Sequence, residues 1–165
     1  MLNAIHKLIV EAMHNNETSL FTDCPHREKL GWLEETHLVA PGLIFNNDLH
    51  GLYRATAENI ADEQKPDGRV PTTAPQYTVF GKQGYGVFDD SPEWGSASVL
   101  AGWDAYRAYG DGAELKREYP VMQRYVKFLA GKAQDGIVSY GLGDWYDIGP
   151  GSPGVEKNTT LGVTA

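Results

Sequence analysis

From Leu2 to Met13, apolar side chains recur at Leu2, Ile5, Leu8, Ile9, Ala12 and Met13, the spacing that lines one face of an α-helix. The pattern predicts a helix over 2–14, closed by Asn15-Asn16. A loop from Glu17 to Pro25 follows. In it Asp23 is a good helix N-cap, and Pro25 fits a first helical turn, where its missing N–H has no partner to lose. A second helix is expected from about Leu33 to just before Pro41. Phe45, Leu49, Leu52, Tyr53, Thr56 and Ile60 then fall at helical spacing, and Lys65-Pro66-Asp67-Gly68 stops that helix. Residues 69–93 hold no helical period and read as a long irregular loop. A helix from about Ser96 to Tyr109 would turn Leu100, Trp103 and Tyr106 inward, with Trp103 in the core. After the turn Gly110-Asp111-Gly112, the residues Leu115, Tyr119, Met122, Val126 and Leu129 form the seam of a packed helix. Pro120 should kink that helix or start a new one. Residues 135–157 form another Gly/Pro-rich loop, in which 136–140 allow one short strand, and Thr159 to Ala165 reads as the start of a further helix.

The pattern is therefore all-α: helices joined alternately by short turns and long loops. Short turns make antiparallel hairpins. Long loops at every second connection would gather at one end of the bundle and build a pocket there.

Composition narrows the partners. The 165 residues carry a formal net charge of -8 and no run of Lys or Arg, which argues against nucleic acid, whose phosphates need a clustered basic face. No apolar run approaches the ~20 residues that span a bilayer, and the N-terminus lacks the layout of a signal peptide. These features predict a soluble protein and leave its compartment open between bacterial cytoplasm, periplasm and exterior. The single Cys24 cannot form an internal disulfide, and the five His show no zinc-binding spacing. Neither metal nor cofactor is expected.

The densest chemistry lies in Thr22-Asp23-Cys24-Pro25-His26-Arg27-Glu28-Lys29-Leu30-Gly31-Trp32-Leu33-Glu34-Glu35. In a helix, Glu28, Trp32 and Glu35 would share one face; Gly31 makes a turn equally acceptable. Either way, two carboxylates stand near an indole. Glycosidic cleavage needs one carboxylic acid for the leaving oxygen and a second carboxylate for water or the anomeric carbon. A ring beside the acid can raise its pKa by desolvation, and a nearby Arg keeps an adjacent carboxylate ionised. By spacing alone the plainer alternative is preferred: Asp23 a cap, Arg27 and Glu28 a solvated pair, Trp32 a core side chain. Trp94 and Trp145 sit in separate Gly-rich loops beside Glu93 and Asp144, which favours a pocket over two isolated hydrophobic plugs.

The run Asp23-Cys24-Pro25-His26-Arg27-Glu28-Lys29-Leu30-Gly31-Trp32 closely resembles the signature of bacterial α-L-rhamnosidases of glycoside hydrolase family 78. Pro66-Asp67-Gly68-Arg69-Val70-Pro71, Glu93-Trp94-Gly95-Ser96-Ala97, Tyr109-Gly110-Asp111 and Gly143-Asp144-Trp145 resemble later landmarks of that family in the right order, so the resemblance covers nearly the whole chain. It implies an (α/α)6 barrel of six helical hairpins, present here as a part only, with the remaining hairpins in a longer parent chain and residues 1–165 as one piece of a single catalytic domain. It implies inverting hydrolysis of terminal α-L-rhamnosides, with a rhamnose-containing carbohydrate as substrate. The resemblance places the general acid on Glu28, sugar-hydroxyl contacts on Asp23 and Arg27, aromatic walls on Trp32, Trp94 and Trp145, and a further acidic contact on Glu35. Two departures stand out. Leu33-Glu34-Glu35 replaces the family's Thr-Gly-Asp, and no match for the general base occurs before Ala165. The expectation is a piece inactive by itself. Two other readings are another helical-barrel glycosidase with a different sugar and a non-catalytic helical module that binds glycans or a partner.

Overall fold

The computed structural model describes residues 1–84 and 86–143 and the backbone of 163–164. Seven helices lie among them: α1 (Leu2–Asn16), α2 (Glu35–Leu38), α3 (Ala40–Asn46), α4 (His50–Glu63), α5 (Pro92–Gly95), α6 (Ala97–Tyr109) and α7 (Gly112–Lys132). Two 3-10 turns, Phe80–Gln83 and Gly86–Phe88, punctuate the long loop between α4 and α5. None of the described helices is long and apolar enough to cross a membrane.

α1 forms where its periodicity predicts, but its apolar stripe is not covered. Leu2 is 78% exposed and Leu8 71%. The helix is tied to α3 by hydrogen bonds between His6 Nε2 and Asn46 Oδ1 (2.9 Å) and between His14 Nε2 and Asn47 Oδ1 (3.1 Å), while Met13 packs on the core.

The helix expected over 33–40 is instead two short helices meeting at Val39, whose backbone (φ -102°, ψ 5°) leaves the helical region. Pro41 does not end a helix. It occupies the first turn of α3, where a residue without an N–H loses nothing. Phe45 belongs to α3 and is 87% exposed, so it is not the first core position of α4. That helix buries Tyr53, Thr56 and Ile60 as predicted, and the Tyr53 hydroxyl donates to the Thr36 carbonyl (2.7 Å), joining α4 to α2.

α6 has the predicted length and the opposite facing. Leu100, Trp103 and Tyr106 are exposed, Trp103 by 49%, and the buried positions are Ala97, Ser98 and Ala101. Trp103 is therefore not a core residue. The small face lets the backbone of α6 approach its neighbours closely: a Cβ on Gly102 would lie 2.7 Å from Met122 Cε of α7. Asp111 caps α7 by accepting from the amides of Ala113 (3.1 Å) and Glu114 (2.9 Å). The helix then runs to Lys132 through Pro120 without restarting. Met122 and Leu129 are buried as predicted, but Tyr119 and Val126 are exposed, and Tyr125 takes the inward place between them.

Where α6 meets α7, burial pushes the Glu118 carboxyl up to about 7, Arg117 opposing and Asp111 adding to the shift. The folded state thus holds this proton more tightly than the unfolded chain. The resulting stabilisation is complete below about pH 4.5 and is lost as pH rises through about 7. Glu118→Gln is expected to gain stability relative to the parent as pH climbs across that interval, read from melting temperatures at a series of pH values. A constant offset at every pH would contradict the assignment.

Beyond α7, Ile137–Val138 (β1) pairs antiparallel with Val163–Thr164 (β2), Ile137 opposite Thr164 and Val138 opposite Val163. The short strand within 136–140 is present. The helix expected from Thr159 is not formed at Val163–Thr164, where two β-branched residues extend into the ladder. Residues 159–162 and 165 lie outside the described residues.

Candidate active site

The segment 22–33 is not helical. Asp23 does not cap a helix: its amide donates to the Leu30 carbonyl (3.2 Å), closing a loop of turns over 25–28. The Glu28 amide donates to Cys24 Sγ (3.2 Å), which gives the small free thiol a shaping role, and Lys29 takes a left-handed backbone (φ 57°). The chain then runs extended beside residues 72–74. The Leu33 amide donates to Thr72 O (2.9 Å), the Ala74 amide to Gly31 O (3.0 Å), and Trp32 lies opposite Thr73. Two segments forty residues apart thus fix where the indole stands.

Glu28 and Trp32 meet without a helix between them. The Trp32 Nε1–H donates to Glu28 Oε2 at 2.9 Å. Trp32 is 8% exposed, and so is Trp94; their ring centroids lie 6.1 Å apart at 63°. Phe80 stacks on Trp32 (5.5 Å, 21°) and Phe88 meets it edge-on (6.2 Å). Glu28 is an exposed residue bonded to a buried indole, so it stands at the rim of an aromatic cluster.

Glu35 opens α2, and burial pushes its carboxyl up to about 7, with the charges of Glu34, Asp23 and Glu28 adding to the shift and its own backbone amide opposing it. Glu35 Oε2 and Asp23 Oδ1 are buried, and neither has a hydrogen-bond partner among the described residues. Two acceptor atoms without donors next to an exposed carboxyl mark a place that polar hydrogens of a ligand can fill. Arg27 is exposed and forms no ion pair among the described residues. Trp145 lies outside the described residues. The structure therefore brings Asp23, Glu28, Trp32, Glu35 and Trp94 together and leaves Arg27 at the surface.

Sequence reasoning missed Phe80 and Phe88, which complete the cluster from a loop that showed no period. Their only local signal is two aromatics in a Gly-rich stretch. It also passed over Ser91 and the anchoring part played by Glu93. Ser91 Oγ accepts from the Leu142 amide (2.7 Å) and Glu93 Oε1 from the Gly143 amide (3.0 Å), while Ser91 Oγ–H donates to Glu93 Oε2 (2.6 Å). Gly141, at φ 118°, passes so close that a Cβ would lie 2.7 Å from Pro92 Cδ. The stretch leading to Asp144-Trp145 is thereby fastened beside Trp94. Among the described residues, no three His, Cys, Asp or Glu side chains cluster to hold a metal ion.

The sequence model of the bacterial α-L-rhamnosidase six-hairpin glycosidase domain matches residues 1–165. The chain belongs to this family. Similar curated rhamnosidases include one from Formosa agariphila, 30% identical over 153 residues (88% of this chain), and one from an Alteromonas species, 28% identical over 159 residues (95% of this chain). The chain spans only 16% of the length of either. Among solved rhamnosidases, that of Dictyoglumus thermophilum superposes with a TM-score of 0.80 at 34% identity, covering 92% of this chain and 17% of that one. The Streptomyces avermitilis enzyme, solved with L-rhamnose, gives 0.81 at 26% identity over 92% of this chain and 14% of that one. The helices described above are thus part of a six-hairpin glycosidase fold, and the Asp23–Trp32 run lies within the matched rhamnosidase domain.

Proposed function

We propose that the protein carrying this chain is an inverting α-L-rhamnosidase that releases terminal α-L-rhamnose from glycans or glycosides, with Glu28 as general acid. The observation that carries the reading is the 2.9 Å bond from the Trp32 indole to Glu28 Oε2, within a domain whose relatives are named α-L-rhamnosidases. That bond holds one carboxyl oxygen, and in this scheme the other carries the proton. In the reaction the C1–O bond of the glycoside breaks, the leaving oxygen takes the proton of Glu28, and a water oxygen attacks C1 from the opposite face as a base removes its proton.

The neighbouring residues fit a sugar ring. Asp23 Oδ1 and Glu35 Oε2 offer acceptors for hydroxyl hydrogens. A Glu35 carboxyl held near 7 is partly protonated at neutral pH and also has a hydrogen to donate. With 8% exposure each, Trp32 and Trp94 are proposed to back the wall of the cleft and give it its shape. Arg27 at the surface stands ready to reach a hydroxyl from outside, and Trp145 is proposed as a further wall. We place the general base outside residues 1–165, and residues 1–165 alone are expected to turn over no rhamnoside.

Proton NMR of the first sugar released by the full-length protein tests the stereochemistry. β-L-rhamnose should appear before mutarotation if water attacks directly. Initial release of the α-anomer would replace this scheme with a retaining one, and absence of turnover on any rhamnoside would remove the substrate assignment.

A further inference from the structure

Asp89 is buried, 6% exposed, and it pairs with none of the Lys or Arg side chains among the described residues. A carboxylate withdrawn from water without a cation is costly unless several donors converge on it. Here they do. Asp89 Oδ1 accepts from the Phe80 amide (2.8 Å) and from Gln76 Nε2 (3.1 Å), and Oδ2 accepts from the Gly81 amide. The Asp89 amide in turn donates to Gly86 O (3.0 Å), so the loop 80–89 closes on this one side chain. Its neighbour Phe88 is held at the carbonyl by the Thr72 hydroxyl, one residue from the strand partner of Trp32.

Both rings carried by this loop lie on Trp32: Phe80 on its face and Phe88 at its edge. The face of an indole fixes the direction of its N–H, and hydrogen bonds weaken steeply with angle. We propose that Asp89 is a positioning residue, whose carboxylate sets Phe80 against Trp32 and so aims the indole N–H at Glu28. The proposal rests on the reading of Glu28 as the general acid for its effect on turnover, but not for its effect on the ring.

The test uses the full-length protein labelled with 5-fluorotryptophan, the Trp32 fluorine signal being assigned with Trp32→Phe. Asp89→Asn presents an amide N–H to one of the backbone donors, and Phe80→Leu removes the stacked ring. Each should move the Trp32 signal and leave that of Trp103, exposed on α6, in place. Each should lower kcat about tenfold with KM changed less than twofold. The double variant should be no slower than the worse single one, because both act through the same contact. If Asp89→Asn does not fold, Gly81→Ala displaces the same carboxylate, since its Cβ would lie 2.9 Å from Asp89 Oδ2, and the same signal should move. An unmoved Trp32 signal, or losses that multiply in the double variant, overturns the proposal. A moved signal with undiminished turnover supports the positioning of the ring and overturns instead the role given to Glu28.

Discussion

Glu28→Gln in the full-length protein is expected to lower kcat on a rhamnoside with a poor leaving group by about 10²–10⁴-fold, with sugar binding retained. The amide keeps the shape of the side chain, and its oxygen can still accept from the Trp32 indole at the position Oε2 now occupies. What it lacks is a proton for the departing oxygen. An aryl rhamnoside whose phenol leaves without protonation should therefore lose far less rate than an alkyl or disaccharide substrate. That contrast separates loss of an acid from loss of packing. Kinetics on a pair of substrates differing in leaving-group pKa read it directly, and equal losses on both would remove Glu28 from the acid's role.

The largest stability effect is expected at Gly68. Its φ of 96° is a conformation that side chains rarely adopt, and a Cβ there would lie 2.5 Å from the carbonyl oxygen of Arg124 on α7 and 3.3 Å from Phe128 Cβ. The main obstacle is backbone, which cannot swing aside. The Gly68 carbonyl also accepts from Gln64 Nε2 (3.0 Å), which reaches Val121 O at 3.0 Å as well, so the turn after α4 is hooked onto α7. Gly68→Ala combines left-handed strain with overpacking and should cost about 2–5 kcal/mol. Gly131 is the internal control. It lies in α7, where a Cβ would meet nothing within 4 Å among the described residues beyond its own helix backbone and chain neighbours, and Gly131→Ala should gain about 0.5–1 kcal/mol. Denaturant midpoints of the two variants against the parent decide the matter; similar midpoints would show the turn to be yielding.

The helices were legible where periodicity is enough. α1 stands where apolar spacing puts it, α4 ends before its Lys65-Pro66-Asp67-Gly68 stop but begins after Phe45, and α7 follows its predicted turn but runs on through Pro120. Facing was harder, because a periodic stripe records which side is apolar and not what covers it. Leu2 and Leu8 lie open to solvent. In α6 the large residues Leu100, Trp103 and Tyr106 turn outward because the packed side uses Ala97, Ser98 and Ala101 to bring helices close, a face that hydrophobicity ranks low. Proline proved ambiguous in the same way. Pro41 starts a helix and Pro120 sits inside one.

At the site, the residues were legible and their conformation was not. The signature run pointed to Glu28 and Trp32 through resemblance, whereas local spacing allowed a helix or a turn. What decides is pairing with residues 72–74, a partner that no window around Trp32 contains. Phe80 and Phe88 were invisible for the same reason, since their contact with Trp32 is created by the closure of a loop on Asp89. The carboxyl that burial raises is that of Glu35, which lies deeper than the exposed Glu28.

The fastening of 141–143 to Ser91 and Glu93 bears on how a guest molecule is chosen. Gly141 has no room for a side chain, since a Cβ there would lie 2.7 Å from both Pro92 Cδ and Ser91 Oγ, and the next two amides are already satisfied. A segment fastened at two successive amides has fewer conformations left to lose. In the proposed rhamnoside site, binding beside such a segment would require little further ordering of the protein.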